Sequence, residues 1–347
     1  MSADAEKFAG TGPAPWLSIL VPVYNVAPFV GECLHSICAQ LGGRRDVEII
    51  LFDDGSTDGS AEICEAFIAE GHAEVRLLRH AQNDGPSAAR NAMLDVARGD
   101  YIWFIDADDK ILPGSIAALE AIVRPLRPDI ILCDYVREGR TRYRTFGGPA
   151  RCVGNCTETL IAGVFAKRRL HAWSRVWKRD LFGPSIRFPV GACFEDAATI
   201  PWLLLKAESH YYVPEPWVYY RSRPGSIMAR LAKTRSFDVR RNDDMAMALA
   251  GFSSALADAV PDAGPKTLAA IAGFQSREFV KIAKRLVRGR KTSWAQLRIG
   301  VGRYRAAMEA HSPLPFSTIA RQYLVRGKIG RAAALGLALA LAGPGQP

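Results

Sequence analysis

Apolar residues in the first 135 positions fall into short, nearly unbroken runs, separated by segments in which they recur at helical spacing. Leu17–Val23 is a β-rich run. Pro28 then suits a first helical turn, and Phe29, Val30, Cys33, Leu34 and Ile37 share one helical face. The alternation continues with strand Val47–Phe52, a helix through Ile63, Phe67 and Ile68, and strand Val75–Leu78. A helix over Ala88–Ala97, strand Tyr101–Ile105, a helix over Ile116–Val123 and strand Ile130–Cys133 complete the run. Strands that alternate with helices of this length predict βαβ units, hence an α/β fold with a mostly parallel sheet. Runs this apolar are buried on both faces.

Beyond Tyr135 the rhythm breaks. Arg137–Arg151 is charged and reads as a loop or edge hairpin. Helical patterns at Thr157–Phe165 and Ala197–Ala207 flank a Trp- and Arg-rich stretch, and Tyr211–Tyr220 is strand-like. From Phe237 onward the pattern is helical, broken at Pro261–Pro265 and Ser312–Pro315. The expected organisation is a tail at 1–15, an α/β half at 16–135, a second half at 136–235 and a helical extension at 236–347.

Composition changes little: 49% hydrophobic and 23% charged residues in 347 positions describe an ordinary globular chain. Met1–Pro15 has no apolar signal stretch, so a cytoplasmic location is expected. The seven cysteines lack metal-site spacing and read as free thiols. Net charge, +10, matters through its placement. Residues 275–310 hold ten Lys or Arg against Glu278 and Glu309, a face suited to a lipid surface, a nucleic acid or an anionic glycan, or simply a solvated helix. Arg321, Arg326, Lys328 and Arg331 then precede the apolar run Ala332–Ala342, too short for the ~20 residues that span a bilayer. A basic segment before a short apolar one predicts reversible contact with the inner face of a membrane; packing on the protein's own core is the alternative.

The candidate chemistry lies at the strand ends, where open α/β sheets bind ligands. Strand one ends in Val21-Pro22-Val23-Tyr24-Asn25. The second ends in Asp53-Asp54-Gly55-Ser56-Thr57-Asp58, and the fourth in Asp106-Ala107-Asp108-Asp109. In extended chain Asp106 and Asp108 point to one side, and a hard divalent cation relieves their repulsion. The alternative is that Asp109 or Asp106 merely caps the helix that begins near Pro113. An acid at Asp53-Asp54 can accept from a base N–H or a ribose hydroxyl. Asn83-Asp84-Gly85-Pro86 permits close backbone approach, with Arg90 one helical turn further on.

These four segments, in this order and at these spacings, resemble the signature set of inverting family-2 glycosyltransferases with the GT-A fold. The resemblance extends through Trp177-Lys178-Arg179-Asp180-Leu181-Phe182, Phe194-Glu195-Asp196 and Tyr219-Tyr220-Arg221-x-Arg223-x-Gly225-Ser226. It implies a Rossmann-like GT-A sheet flanked by helices, with a helical C-terminal extension. It implies Mn²⁺ or Mg²⁺ and a nucleotide-sugar donor, UDP-sugar favoured, bound around Pro22, Tyr24, Asn25, Asp53, Asp54, Asn83, Gly85, Arg90, Asp106 and Ala107. Asp54 would meet the uracil ring, with Tyr24 and Pro22 lining the base pocket. Asp108, with Asp106, would hold the metal, and Asp196, paired with Glu195, would be the catalytic base. Trp173, Arg175 and Trp177 are candidates for contact with the acceptor, a glycan or lipid-linked sugar of cell-surface polysaccharide or glycolipid synthesis. No Gln-x-x-Arg-Trp motif is present, so one or few sugars are expected to be added.

Two other readings use the same features. A nucleotidyltransferase would need a Gly-rich basic loop after strand one, and Val23-Tyr24-Asn25-Val26-Ala27 has neither Gly nor base. A non-catalytic protein binding membrane or nucleic acid through its basic helices would carry acidic strand ends that repel phosphates, so no nucleic-acid partner is expected.

Overall fold

The computed structural model describes residues 14–72, 74–139, 141–223, 239–289 and 293–343. The expected tail lies almost entirely outside the described residues, as do Gly225 and Ser226.

The alternation read from the sequence folds as expected: β1 (Leu17–Val23), α1 (Ala27–Cys38), β2 (Val47–Asp54), α2 (Ser60–Ala69), β3 (Val75–His80), α3 (Pro86–Val96) and β4 (Tyr101–Phe104). A two-residue β5 (Lys110–Ile111), α4 (Ser115–Leu126) and β6 (Ile130–Arg137) follow. β3, β2, β1 and β4 run parallel side by side. Alternate residues face opposite sides of this sheet, and both sides are apolar. Ile19, Val21, Ile49 and Leu51 meet α1 and α2, while Leu20, Ile50, Ile102 and Phe104 meet the helices on the other face.

The charged stretch forms the predicted hairpin, β7 (Thr141–Tyr143) antiparallel to β6, followed by β8 (Val153–Gly154) and α5 (Thr157–Lys167). The Trp- and Arg-rich stretch gave no strand signal, yet β9 (Arg175–Lys178) is a central strand, antiparallel between β4 and β6. α6 (Glu195–Lys206) and β10 (His210–Tyr220) complete the ten-stranded sheet, β10 running parallel to β6. Residues on either side of Tyr135 therefore share one sheet, because β9 lies inside it.

Among the described residues six helices follow, α7 (Val239–Met247), α8 (Phe252–Ala259), α9 (Pro265–Arg288), α10 (Trp294–Glu309), α11 (Phe316–Val325) and α12 (Ile329–Ala342). They extend the sheet's own core: Phe165 of α5 packs against Phe252 and Phe274 at 5.7 Å between ring centres. No helix of the described residues is long and apolar enough to cross a membrane.

Candidate active site

The segments that follow β1, β2 and β3 are held together, the first two by side chains that replace helix caps. The orphan N–H groups at the start of α1 donate to Asp58 and Ser60 of the β2–α2 loop, at 3.0 and 2.8 Å. Asn25, at φ 49°, accepts the Thr57 N–H at 2.9 Å. Gly55 has φ 72°, and a Cβ there would lie 3.1 Å from the Gln82 backbone, so only glycine allows the two loops to meet.

A cleft of about 420 Å³ opens beside these loops, lined by Asp53, Gly55, Ser56, Thr57, Arg79, His80 and Ala81. Tyr24 and Asn83 are exposed and Pro22 and Gly85 are half-buried at the same end of the sheet. Asp54 is buried behind the cleft, its two oxygens accepting the N–H groups of Asp84 and Gly85 at 3.0 and 2.8 Å. A carboxylate oxygen keeps a further lone pair after one such bond. Asp53 is the acid of the pair that lines the cleft. Arg79 and His80, which the sequence reading did not single out, stand opposite it.

The acidic turn after β4 gathers three carboxylates, not two. Single oxygens of Asp106, Asp108 and Asp109 lie within 4.8 Å of one another, and the intervening Ala107 is buried. Asp109, read from sequence as a cap, is 1% exposed. One of its oxygens accepts the Arg221 N–H at 2.8 Å and the other has no partner. Burial, reinforced by Asp106 and Asp108, holds its pKa well above the carboxylate range. Arg223 pairs with the Asp108 carboxylate, and the Arg221 guanidinium donates to the Asp108 carbonyl at 2.9 Å. A buried carboxylate oxygen without a partner, in a cluster of hard oxygen donors, fits a divalent cation of the Mg²⁺ or Mn²⁺ type.

Arg90 links this turn to the second acidic pair. It is 5% exposed, donates to Glu195 at 2.8 Å and to Asp196 at 3.4 Å, and its other nitrogen lies 3.6 Å from Asp106. Phe188 covers its guanidinium, 5.2 Å from the ring centre. The remaining Asp196 oxygen accepts the Ala172 N–H at 3.2 Å. Glu195 and Asp196 open α6, where the helix dipole favours acids. The preceding Phe194 has φ 62°, a conformation costly for a bulky residue and here placed directly before the Glu195-Asp196 pair.

Arg90 and Arg223 thus pair with four of these five carboxylates, while Asp109 receives only the Arg221 backbone N–H and the Arg221 guanidinium pairs with Glu32, so acids outnumber cations here. The imbalance acts on groups already enclosed. Burial raises Asp106 to about 6, with Asp108 and Glu195 adding to the rise, and burial raises Asp196 to about 7, with Glu195 and Asp106 adding. In both cases Arg90 pulls the other way.

Arg90→Ala would leave Glu195 and Asp196 buried without their cation. Loss of one partner from a buried pair costs about 3–5 kcal/mol, so the urea midpoint at pH 8 should fall accordingly. At pH 6 the loss should be smaller, because Asp196 then takes up a proton. A pH 8 loss under about 1 kcal/mol, the range of a surface pair, would show that Arg90 does not hold the cluster.

The candidate acceptor residues need correction. Trp177 and Arg175 have no exposed surface, since both belong to the core strand β9. The indole N–H donates to the Ala172 carbonyl at 3.2 Å, and Arg175 to the carbonyls of His171 and Arg169. Trp173 is 6% exposed and is the middle ring of a stack, with His171 at 4.5 Å on one face and Tyr220 at 5.5 Å on the other. The rings at the ends of the stack, His171 and Tyr220, are only half-buried. Burial, with Arg175 and Arg169 nearby, holds His171 down to about 3, so its ring is neutral.

Comparison with known proteins agrees with this geometry. The family described as Glycosyl transferase family 2 matches residues 18–172. Glycosyltransferase GlyG of Streptococcus pneumoniae is 30% identical over 227 residues, 61% of this chain and 72% of that protein. Among solved structures, residues 1–349 of S. aureus TarS in complex with UDP-GlcNAc superpose with a TM-score of 0.60 at 18% identity, covering 90% of this chain and 92% of that one. The mannosyltransferase PcManGT from Pyrobaculum calidifontis, in complex with GDP-Man and Mn²⁺, gives 0.52 at 18% identity, covering 98% and 92%. An acidic turn at the end of a parallel strand, a second acidic pair facing it across Arg90, and relatives matched along the sheet lead to one conclusion: this chain belongs to glycosyl transferase family 2 and has the GT-A fold.

Proposed function

We propose that this glycosyltransferase moves a sugar from a UDP-sugar onto an acceptor hydroxyl with inversion at the anomeric carbon. We place the reaction in cell-surface polysaccharide or glycolipid synthesis, on the cytoplasmic side of a membrane. The observation that carries the chemistry is Arg90, one guanidinium that spans the acidic turn and the Glu195-Asp196 pair. It links two acidic centres through one planar group, so a donor bound at one and an acceptor at the other would be held next to each other.

The base and ribose lie in the cleft beside Asp53, with Tyr24, Pro22 and the Asn83–Gly85 loop around them. Asp54 holds that loop and offers its free lone pairs to the ring N–H. Asp106, Asp108 and Asp109 hold the Mn²⁺ or Mg²⁺, as Mn²⁺ accompanies GDP-Man in PcManGT. The ion's contribution when bound is to neutralise charge on the departing diphosphate. Arg223 and Arg221, already at this turn, orient its carboxylates.

Asp196 takes the proton of the attacking hydroxyl. Its raised pKa makes it a stronger base than an ordinary carboxylate, and the Ala172 N–H and Arg90 fix the direction of its oxygens. The acceptor approaches along the segment 171–173 that bonds to Asp196, with His171 and Tyr220 as the available ring faces and Trp173 their support. Among the described residues no Ser, Cys or His is assigned a nucleophile's place beside Asp196, which supports a single displacement.

Single-turnover incubation with UDP-sugars, Mn²⁺ and an acceptor tests this reading. UDP should be released with the acceptor, and NMR of the product should show the anomeric configuration inverted. A product retaining the donor's configuration would overturn the single displacement. The rate should rise with pH through about 7 as Asp196 ionises. A rate already maximal at pH 5 would remove Asp196 from the role of base.

A further inference from the structure

α12 is apolar on both sides, and only one side is covered. Ala332, Leu335 and Ala338 are buried against the neighbouring helices. Ile329, Ala333, Gly336, Leu337 and Ala340 recur at helical spacing on the opposite side and are exposed, Ile329 by 70% and Leu337 by 73%. A helix apolar all round normally lies in a core or a membrane. At 14 residues this one is about 21 Å long, short of the ~30 Å hydrocarbon layer. The corner leading into it adds Leu324, exposed by 57%, and Val325, exposed by 88%.

Cations surround this surface. Arg321, Arg326, Lys328 and Arg331 are exposed, and among the described residues no ion pair is made by any of them. From Ala310 to the end of the sequence there is no Asp or Glu at all. Arg277 of α9 faces Arg331 closely enough that, after burial, Arg331 is the next cause lowering its pKa. Arg321, Arg326, Lys328 and Arg331 are thus gathered with no ion pair among the described residues, beside leucine, valine and isoleucine side chains in water.

We propose that the α11–α12 corner and the outer face of α12 form a docking surface for an anionic lipid bilayer. Arg321, Arg326, Lys328 and Arg331 would rest on the headgroups, and Val325, Ile329 and Leu337 would enter the acyl boundary. A free polyanion would neutralise the cations but give the exposed apolar stripe no partner, so a lipid surface accounts for both observations. The sequence pattern suggested membrane contact or core packing for Ala332–Ala342 as alternatives. In the folded protein the two are opposite faces of one helix.

Co-sedimentation of the full chain with vesicles tests this without donor or acceptor, so it is independent of the proposed reaction. The protein should pellet with phosphatidylcholine vesicles containing phosphatidylglycerol at low salt, stay soluble with phosphatidylcholine alone, and release at high salt. R326E/K328E should lower the partition coefficient by roughly tenfold or more, and V325E/I329E by a similar factor. All four positions are exposed, so both variants should keep the wild-type melting temperature and transfer to a soluble acceptor. Failure of the wild-type protein to pellet, or equal pelleting of wild type and both variants, would overturn the proposal. So would loss of binding in the charge variant alone, which would reveal a polyanion site rather than a bilayer surface.

Discussion

Asp196→Asn is expected to retain donor binding and lose transfer. The amide keeps the shape of the carboxyl group, but only its oxygen accepts, so it keeps one of the two bonds that Asp196 now takes from Arg90 and the Ala172 N–H, at 3.4 and 3.2 Å. What it cannot do is take a proton. General-base catalysis contributes typically 10² to 10⁴ in rate, so kcat should fall by about that factor while titration with UDP and Mn²⁺ stays normal. Stability should not suffer. A buried carboxylate whose pKa is pushed up to about 7 is, at neutral pH, a group the fold holds at a cost. Because the folded value lies above the ordinary one, that cost appears as pH rises from the carboxylate range through 7, and the amide removes it. The rise of rate with pH through this window should vanish in the variant. Near-wild-type kcat would show that Glu195-Asp196 serves only to open α6.

Asp108→Ala should lose donor affinity as well as turnover. Asp108 is half of a close pair with Arg223 and one of three carboxylates that share a space under 5 Å across. Removing it takes away a ligand and frees a guanidinium to compete for the same diphosphate. Loss of a properly held metal removes several kcal/mol of charge stabilisation, so UDP affinity in Mn²⁺ should fall by about a hundredfold or more. EDTA should bring the wild-type enzyme down to the variant's level. Asp108→Asn separates the two effects, since the amide can still bond Arg223 but carries no charge. Full turnover of the alanine variant in excess chelator would sink the metal assignment.

Asp109 and Arg90 show where sequence reading reaches its limit at the site. Asp109 follows Asp106-Ala107-Asp108 directly and has the composition of a cap. Its burial, and its bond to the Arg221 N–H from 112 residues away, are what add it to the cluster. Arg90 read as a contact for the nucleotide or its phosphates because it lies one turn into a helix that starts at Pro86. Its nearest partners turned out to be carboxylates, the closest 105 residues further along. Trp177 and Arg175 erred in the other direction. Their composition suggested a sugar-binding surface, whereas β9 buries both, because apolar clusters cover both faces of the sheet there, Trp177 lying in one and Val176 in the other.

The sequence alone determined the parallel half of the sheet and the acids at its edge, since both are local facts. A run such as Leu17–Val23 or Val47–Phe52 is apolar at every position because both faces of its strand are covered, and the first polar residues after it mark where the strand leaves the core. Periodicity also located the C-terminal helices. Tertiary structure alone decided what stands between what. The order of the sheet brings β9 beside β4, α6 opposite α3, and the end of β10 over the acidic turn, and only then do Arg90, Arg221 and Arg223 meet the carboxylates they orient. No local pattern encodes such meetings. They depend on which strands pair across a hundred residues, and that pairing is fixed by burying all the apolar faces at once.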